Sequence, residues 1–238
     1  MSEPLLRLEN VQAGYDDNLV LQGISFDVPE GSVVSVLGPN GHGKTTLLRT
    51  ISGLLKLRGG SIKFAGETID RKRVDEIVAA GLIHIPQGDL VFPQMTVREN
   101  LYLGAYLPKA HARRSEQLEK VYQLFPRLKE RSSQMASTLS GGERRMLSIG
   151  RGLMSRARLL MLDEPSLGLA PLVTEEIYEN IRKLKAEGYA LLLIEENPER
   201  VVDTADHVHL IDHGSVVWQG SAQEMLANDH ILTTYLGV

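Results

Sequence analysis

The sequence predicts an α/β fold: a parallel sheet at the core, an antiparallel β part near the N-terminus and a helical segment inserted in the chain. Three observations predict it. The runs VVSVL (33–37), LIHI (82–85), LLML (159–162) and ALLLI (190–194) are apolar throughout, as strands buried on both faces are. The helical pattern VTEEIYENIRKLKAEG joins the last two runs, which makes strand–helix–strand and therefore parallel pairing. The interval from Gln87 to about Leu153 holds polar, helix-favouring stretches such as SEQLEKVYQLFPRLKER and no convincing buried strand.

In chain order, the first seventy residues alternate and turn often. LLRLENVQAGY, LVLQGISFDVPEG and GGSIKFAGETI read as short antiparallel strands punctuated by Gly and Pro-Glu-Gly turns. VVSVL feeds directly into GPNGHGKTTLLRTISGLL, which is helical after Lys44, with apolar residues at Leu47, Leu48, Ile51, Leu54 and Leu55. Gly188 supplies the C-cap of the helix before ALLLI. HVHLID and SVVWQG flank an Asp-His-Gly turn and read as a hairpin. SAQEMLANDHILTTYL closes the chain as helix.

Composition narrows the classes. The chain has 238 residues, 42% of them hydrophobic and 24% charged, ordinary for a soluble globular protein. The formal charge is −4, so the chain as a whole has no basic nucleic-acid footprint, and no nucleic-acid partner is expected. There are no cysteines, which excludes disulfide and thiolate chemistry. MSEPLLRLEN carries an acid and a proline where a signal peptide needs a basic start and a long apolar run. A cytosolic protein is expected, or one held at a membrane by partners.

The chemistry sits in three motifs. Gly38-Pro39-Asn40-Gly41-His42-Gly43-Lys44-Thr45 fits G-x-x-x-x-G-K-[ST] and lies between a strand and a helix, as a phosphate-binding P-loop must. Its glycines let successive N–H groups face phosphates, and the helix N-terminus adds its dipole. Lys44 can reach the β- and γ-phosphates of ATP, and the Thr45 hydroxyl, followed by Thr46, can ligate Mg²⁺. LLMLDEP supplies the second half: Asp163 stands beside Mg²⁺, directly or through water, and Glu164 addresses the attacking water as general base or orienter. In LSGGE, Ser140, Gly141 and Gly142 precede the helical stretch ERRMLSIGRGLM and offer a second set of backbone donors to an anion.

LSGGE about twenty residues before LLMLDEP resembles the signature of the ATP-binding cassette (ABC) ATPases, over essentially the whole chain. The resemblance implies a single ABC ATPase domain, 1–238. Residues 1–86 and 154–238 would form the nucleotide-binding core with its β-subdomain, and 87–153 a helical signature subdomain. It assigns Tyr15 to adenine stacking, against a half-buried strand tyrosine. Gln87 becomes a sensor of Mg²⁺ and the attacking water. Ser166 to Leu169 matches a loop that crosses to the partner subunit, although Leu167 and Ala170 replace the usual small polar and acidic residues. In the family each ATP is sandwiched between one P-loop and the signature of a second cassette, which implies a homodimer or heterodimer. Two membrane permease subunits and, indirectly, a solute-binding protein are further implied partners, with the chain peripheral on the inner face of the membrane.

EPSLGLAP, LFPRLKER, TLSGGERRMLSIGRGLM, FPQMTVREN and the ending YLGV are similar to the smaller ATPase subunit of branched-chain amino acid (LIV-type) importers. Urea- and amide-uptake relatives share parts of this pattern. A soluble ABC ATPase of translation or repair would carry tandem cassettes, coiled coils or basic extensions; a P-loop kinase would leave LSGGE without a purpose.

Glu196, in LIEEN, falls where most of the family has a histidine that hydrogen-bonds the γ-phosphate. An ionised glutamate only accepts hydrogen bonds and repels phosphate; a protonated one can donate. Two readings stand: Glu196 is protonated or swings away when ATP is enclosed, or it is a strand-end acid turned to solvent. His207 and His209 share one strand face with His213 near, and read as ordinary strand histidines. Trp218 reads as hairpin packing.

Overall fold

A computed structural model describes residues 3–88, 90–231 and 233–234. The chain runs β1 (Leu6–Tyr15), β2 (Asn18–Val28), β3 (Val33–Leu37), α1 (Lys44–Ile51), β4 (Leu57–Phe64), β5 (Glu67–Thr68), α2 (Val74–Ala80) and β6 (Leu82–Ile85). Helices α3 (Val97–Gly104), α4 (Pro108–His111), α5 (Arg114–Leu124), α6 (Pro126–Glu130) and α7 (Gly141–Leu153) follow. Then come β7 (Leu159–Asp163), α8 (Pro171–Ala186), β8 (Ala190–Glu195), β9 (His207–Asp212), β10 (Ser215–Gly220), α9 (Ala222–Leu226) and α10 (Asp229–Ile231).

Among the described residues two sheets form. One is antiparallel, in the order β2-β1-β4-β5; the other has the order β10-β9-β3-β8-β7-β6 and is parallel except for β9–β10. All four apolar runs enter the parallel sheet, and β3, β7 and β8 are buried along their full lengths. The side-chain period of two splits them between two cores. Leu160, Leu162, Leu191 and Leu193 meet the helical side, with Leu101, Val121, Ile149 and Leu153. Leu159, Met161, Leu192 and Ile194 meet α1 and the antiparallel sheet, with Leu21, Leu47 and Leu48.

Helices α3 to α7 form the crossover between β6 and β7, which are neighbours in the sheet. The crossover is therefore anchored at both ends by paired strands, and α7 also packs on β6 and α3.

Three expectations need correction. β1 and β2 are long strands of 10 and 11 residues, not short ones, and β-bulges rather than turns interrupt their pairing. The helix after Lys44 stops at Ile51, because Gly53 turns left-handed at φ 74°, and Leu54 emerges exposed. The closing helix is broken: α9 ends at Leu226, and the Asn228 side chain accepts from the Ile231 N–H at 3.2 Å to begin α10. Leu232 and the YLGV ending lie outside the described residues.

The contact between α3 and α7 is built on a missing side chain. A Cβ on Gly104 would stand 1.9 Å from the Arg151 carbonyl oxygen and 2.9 Å from Met154 Cβ. Gly104→Ala should therefore cost about 1–3 kcal/mol, the usual range for overpacking. Urea unfolding measures it, and an unchanged midpoint would show that the helices can separate freely.

Candidate active site

Parallel register brings the strand ends together. Leu37 pairs with Glu195, Asp163 with Ile194 and Ile85 with Leu162, so β3, β8, β7 and β6 finish side by side. The P-loop, Glu196, Asp163-Glu164 and Gln87 follow those strands directly, at the carboxyl edge where open α/β sheets bind ligands.

The loop at 38–43 has the backbone its glycines allow. Gly38, Gly41 and Gly43 lie at φ 152°, 82° and 105°, and a Cβ on Gly38 would meet the Ile211 carbonyl oxygen at 2.2 Å. Gly43 caps α1 with no side-chain bond, so the N–H groups of Lys44, Thr45 and Thr46 have no intrahelical acceptor. Pro39 is half-buried, Asn40 and Gly41 are exposed, and the His42 ring turns aside to Asp212, 2.6 Å away. Lys44 is buried; its Nζ donates to the Gly38 and Pro39 carbonyls at 2.6 and 3.0 Å. Burial lowers its pKa, opposed by the charges of Glu196, Glu164, Asp163 and Glu195.

Thr45 Oγ1 lies 3.4 Å from Asp163 Oδ1, and Asp163 Oδ2 is buried with no hydrogen-bond partner among the described residues. Burial pushes the Asp163 carboxyl up, with the Thr45 hydroxyl and Lys44 opposing. Two hard oxygen donors, one unsatisfied, fit the Mg²⁺ expected here. Glu164 is buried in a left-handed conformation, φ 46°, and its N–H donates to the Ile194 carbonyl at 3.1 Å. Such a conformation costs a non-glycine residue about 1–3 kcal/mol and is found where function demands it. Burial, then the charge of Glu196, raises the Glu164 carboxyl, with Lys44 opposing.

Gln87 and Glu164 are brought together across the sheet edge: Gln87 Nε2 donates to Glu164 Oε2 at 2.9 Å. Buried Arg145 on α7 holds that loop, donating to the Pro86 and Gly88 carbonyls at 3.4 and 3.1 Å. At the start of α7, Ser140 and Glu143 exchange capping bonds, Glu143 N–H to Ser140 Oγ at 3.3 Å and Ser140 N–H to Glu143 Oε2 at 2.9 Å. The N–H groups of Gly141 and Gly142 at the first turn have no intrahelical acceptor. Tyr15 ends β1 at 40% exposure, and its hydroxyl accepts from Arg49 Nη1 at 3.2 Å.

The sequence profile described as "ABC transporter" matches residues 21–167. This chain belongs to the ABC transporter family. It is 39% identical to the high-affinity branched-chain amino acid transport ATP-binding protein BraG of Pseudomonas aeruginosa, over 98% of this chain and all of that one. It is 34% identical to the probable branched-chain amino acid transport ATP-binding protein LivF of Archaeoglobus fulgidus, over 98% and 99%. The ADP form of an ATP-binding cassette of an ABC transporter superposes with a TM-score of 0.87 at 28% identity, covering 98% of both chains. Among the described residues no helix is long and apolar enough to cross a membrane.

Within this ABC fold the acid pair at the end of β8 divides in two directions. Glu196 is not turned wholly to solvent: its Oε1 is buried, 3.9 Å from Lys44 Nζ. Glu195, which the sequence presents as a mere second acid, is the more buried of the two, at 1% exposure. Its Oε1 accepts from Ser166 Oγ at 3.1 Å and from the Tyr178 hydroxyl; its Oε2 accepts from Arg200 Nη1 and the Glu196 N–H, both at 3.3 Å. Arg200 Nη1 also donates to Ser166 Oγ at 2.9 Å. The hub thus ties the loop after Glu164 to the segment carrying Glu196. No local pattern announces it, because Ser166, Tyr178 and Arg200 come from three separate segments.

Burial and the Glu195 charge push the Tyr178 hydroxyl well above its ordinary range, so it stays a donor. Tyr178→Phe should remove one bond to a buried charge and cost about 1.5–3 kcal/mol. Chemical denaturation reads this; a variant as stable as wild type would mean that the other donors already suffice.

Proposed function

We propose that the chain is the ATP-hydrolysing, nucleotide-binding subunit of an importer for branched-chain or related amino acids. The observation that carries the hydrolytic part is the Gln87–Glu164 bond, at the same sheet edge as Lys44, Thr45 and Asp163. Relatives that match end to end and are named for branched-chain amino acid transport support the substrate class. A urea- or amide-type importer is the alternative; a soluble non-transport ATPase stands further off.

The chemistry follows from the placement of each group. The open N–H groups at 44–46 and the loop glycines receive the phosphates, while Tyr15 offers its exposed ring to the adenine. Lys44 exchanges the Gly38 and Pro39 carbonyls for phosphate oxygens, so its ammonium remains hydrogen-bonded throughout. Mg²⁺, when bound by Thr45 and Asp163, neutralises phosphate charge. Glu164, positioned by Gln87, orients the attacking water and takes its proton. Glu196 beside Lys44 is an acceptor facing phosphate, and it must be protonated or withdraw as ATP is enclosed.

Gly141 and Gly142, with Ser140, serve the ATP held by a second cassette, either another copy or a related chain. Residues 87–153 act as the helical signature subdomain within a single 1–238 domain. A groove of about 480 Å³ beside it is lined by Leu54, Val74, Phe92, Leu103 and Tyr106, and Leu54 and Tyr106 are 62% and 60% exposed. An apolar cytoplasmic helix of a membrane permease suits this groove, one permease to each cassette of the pair, and the chain would then act peripherally on the inner face of the membrane. A solute-binding protein is then an indirect partner. Enclosing ATP closes the cassette pair and hydrolysis reopens it.

Two measurements test the reading. Glu164→Gln keeps size and hydrogen bonding but accepts no proton, so turnover should fall by about 10²-fold or more while ATP still binds and an ATP-bound dimer accumulates on gel filtration. Near wild-type hydrolysis would remove Glu164 from its role. Leu54→Glu should leave basal ATPase activity unchanged while abolishing co-purification with the permeases and cellular uptake of labelled leucine. If uptake of urea or an amide is lost instead, the substrate class moves to that alternative; if neither uptake changes, the groove is not the coupling surface.

A further inference from the structure

The P-loop residue His42 is committed elsewhere than to phosphate. Its Nδ1 lies 2.6 Å from Asp212 Oδ1, and its ring stacks on that of His213 at a centroid separation of 4.3 Å. His213 Nε2 lies 3.9 Å from the same Asp212 oxygen, and one ligand atom from each residue lies within 4.8 Å of the other two. Sequence spacing had associated His213 with His207 and His209, but those two rings pack on each other instead, 4.8 Å apart.

The backbone holds this cluster in place. The Gly214 N–H donates to the His42 carbonyl at 3.1 Å, and the Gln22 N–H donates to the Gly214 carbonyl at 2.8 Å. A Cβ on Gly214 would stand 1.7 Å from the Val20 carbonyl oxygen, so the β9–β10 turn is pressed against β2. His213 sits at φ 43°, which lets its side chain return over His42. The three groups therefore meet because two loops are fixed against each other.

We propose that His42, Asp212 and His213 form a binding site for a transition-metal dication of the Zn²⁺ type. Two imidazoles and a carboxylate are a donor set that suits Zn²⁺ and leaves a position for water. Bonds of about 2.0–2.2 Å in a tetrahedron put neighbouring ligand atoms roughly 3.3 Å apart, and the observed separations bracket that value. Side-chain movement, chiefly at His213, whose side chain is 80% exposed, closes the site. The contact of 3.3 Å between the His213 N–H and His42 Nδ1 gives way to the metal bond. Thr45 and Asp163 offer oxygen alone and suit Mg²⁺, so the two sites select different ions. A metal at His42 ties the P-loop to the β9–β10 turn.

The test uses the untagged full-length chain and Co²⁺ as a spectroscopic stand-in for Zn²⁺. One equivalent should bind with the visible absorption of low-coordinate Co²⁺, and Zn²⁺ should displace it while millimolar Mg²⁺ does not. His213→Ala and Asp212→Asn should each weaken binding by about tenfold or more, and His207→Ala should not. His213→Ala alters an exposed side chain, so loss of binding there is not loss of fold; circular dichroism checks this. Absence of the visible band, or affinity unchanged in His213→Ala and Asp212→Asn, overturns the site and leaves a plain His–Asp pair. Either result is independent of the ATPase reading, which rests on Glu164.

Discussion

The buried ammonium group of Lys44 is what lets the carboxyl edge of the sheet hold together. Asp163, Glu164, Glu195 and Glu196 all act on it, and each is brought there by the parallel register of β7 and β8 beside β3. Carboxylates gathered at a partly desolvated edge repel one another, and a cation in their midst offsets that repulsion. Lys44 does so while its own burial is compensated by the Gly38 and Pro39 carbonyls, which exist as acceptors because the glycine loop curls back over it. The loop conformation and the acid cluster are thus one electrostatic arrangement.

Glu195 is the counterweight. Its charge is buried more deeply than that of Glu196, yet it is saturated by a guanidinium, two hydroxyls and a backbone N–H. Saturation makes Glu195 a joint and leaves Glu196, the next residue, with a buried oxygen whose nearest cation among the described residues is Lys44, 3.9 Å away. Adjacent identical residues therefore have opposite surroundings: one braces the segment, the other faces Lys44. The same joint reaches Ser166, two residues past Glu164, so the segments carrying Glu164 and Glu196 share a support.

The helical crossover is coupled to this edge by Arg145, whose guanidinium grips the loop on both sides of Gln87. Arg145 belongs to α7, the helix capped by Ser140, so a chain of hydrogen bonds runs from α7 to the Gln87 loop and from Gln87 to Glu164. The apolar groove of Leu54, Phe92 and Tyr106 lies against the same crossover, with Arg151 of α7 stacked over the Phe92 ring. The groove and the first turn of α7 therefore border the same helical crossover.

The sequence by itself determined the four buried strands, the P-loop between strand and helix, the acids after LLML and the capped start of the signature helix. Each depends on neighbours within a few residues, through apolar runs, glycine conformations or a capping box, so local pattern suffices. It misjudged helix ends at Gly53 and Asn228, where one backbone preference outweighs apolar periodicity. What only the tertiary structure decided are the meetings of residues far apart in the chain. Gln87 with Glu164, Glu195 with Ser166 and Tyr178, Glu196 with Lys44, and His42 with Asp212 and His213 belong to this class. Whether a polar side chain turns inward depends on finding a partner there, and the partner is supplied by strand order and register, which no short stretch of sequence encodes.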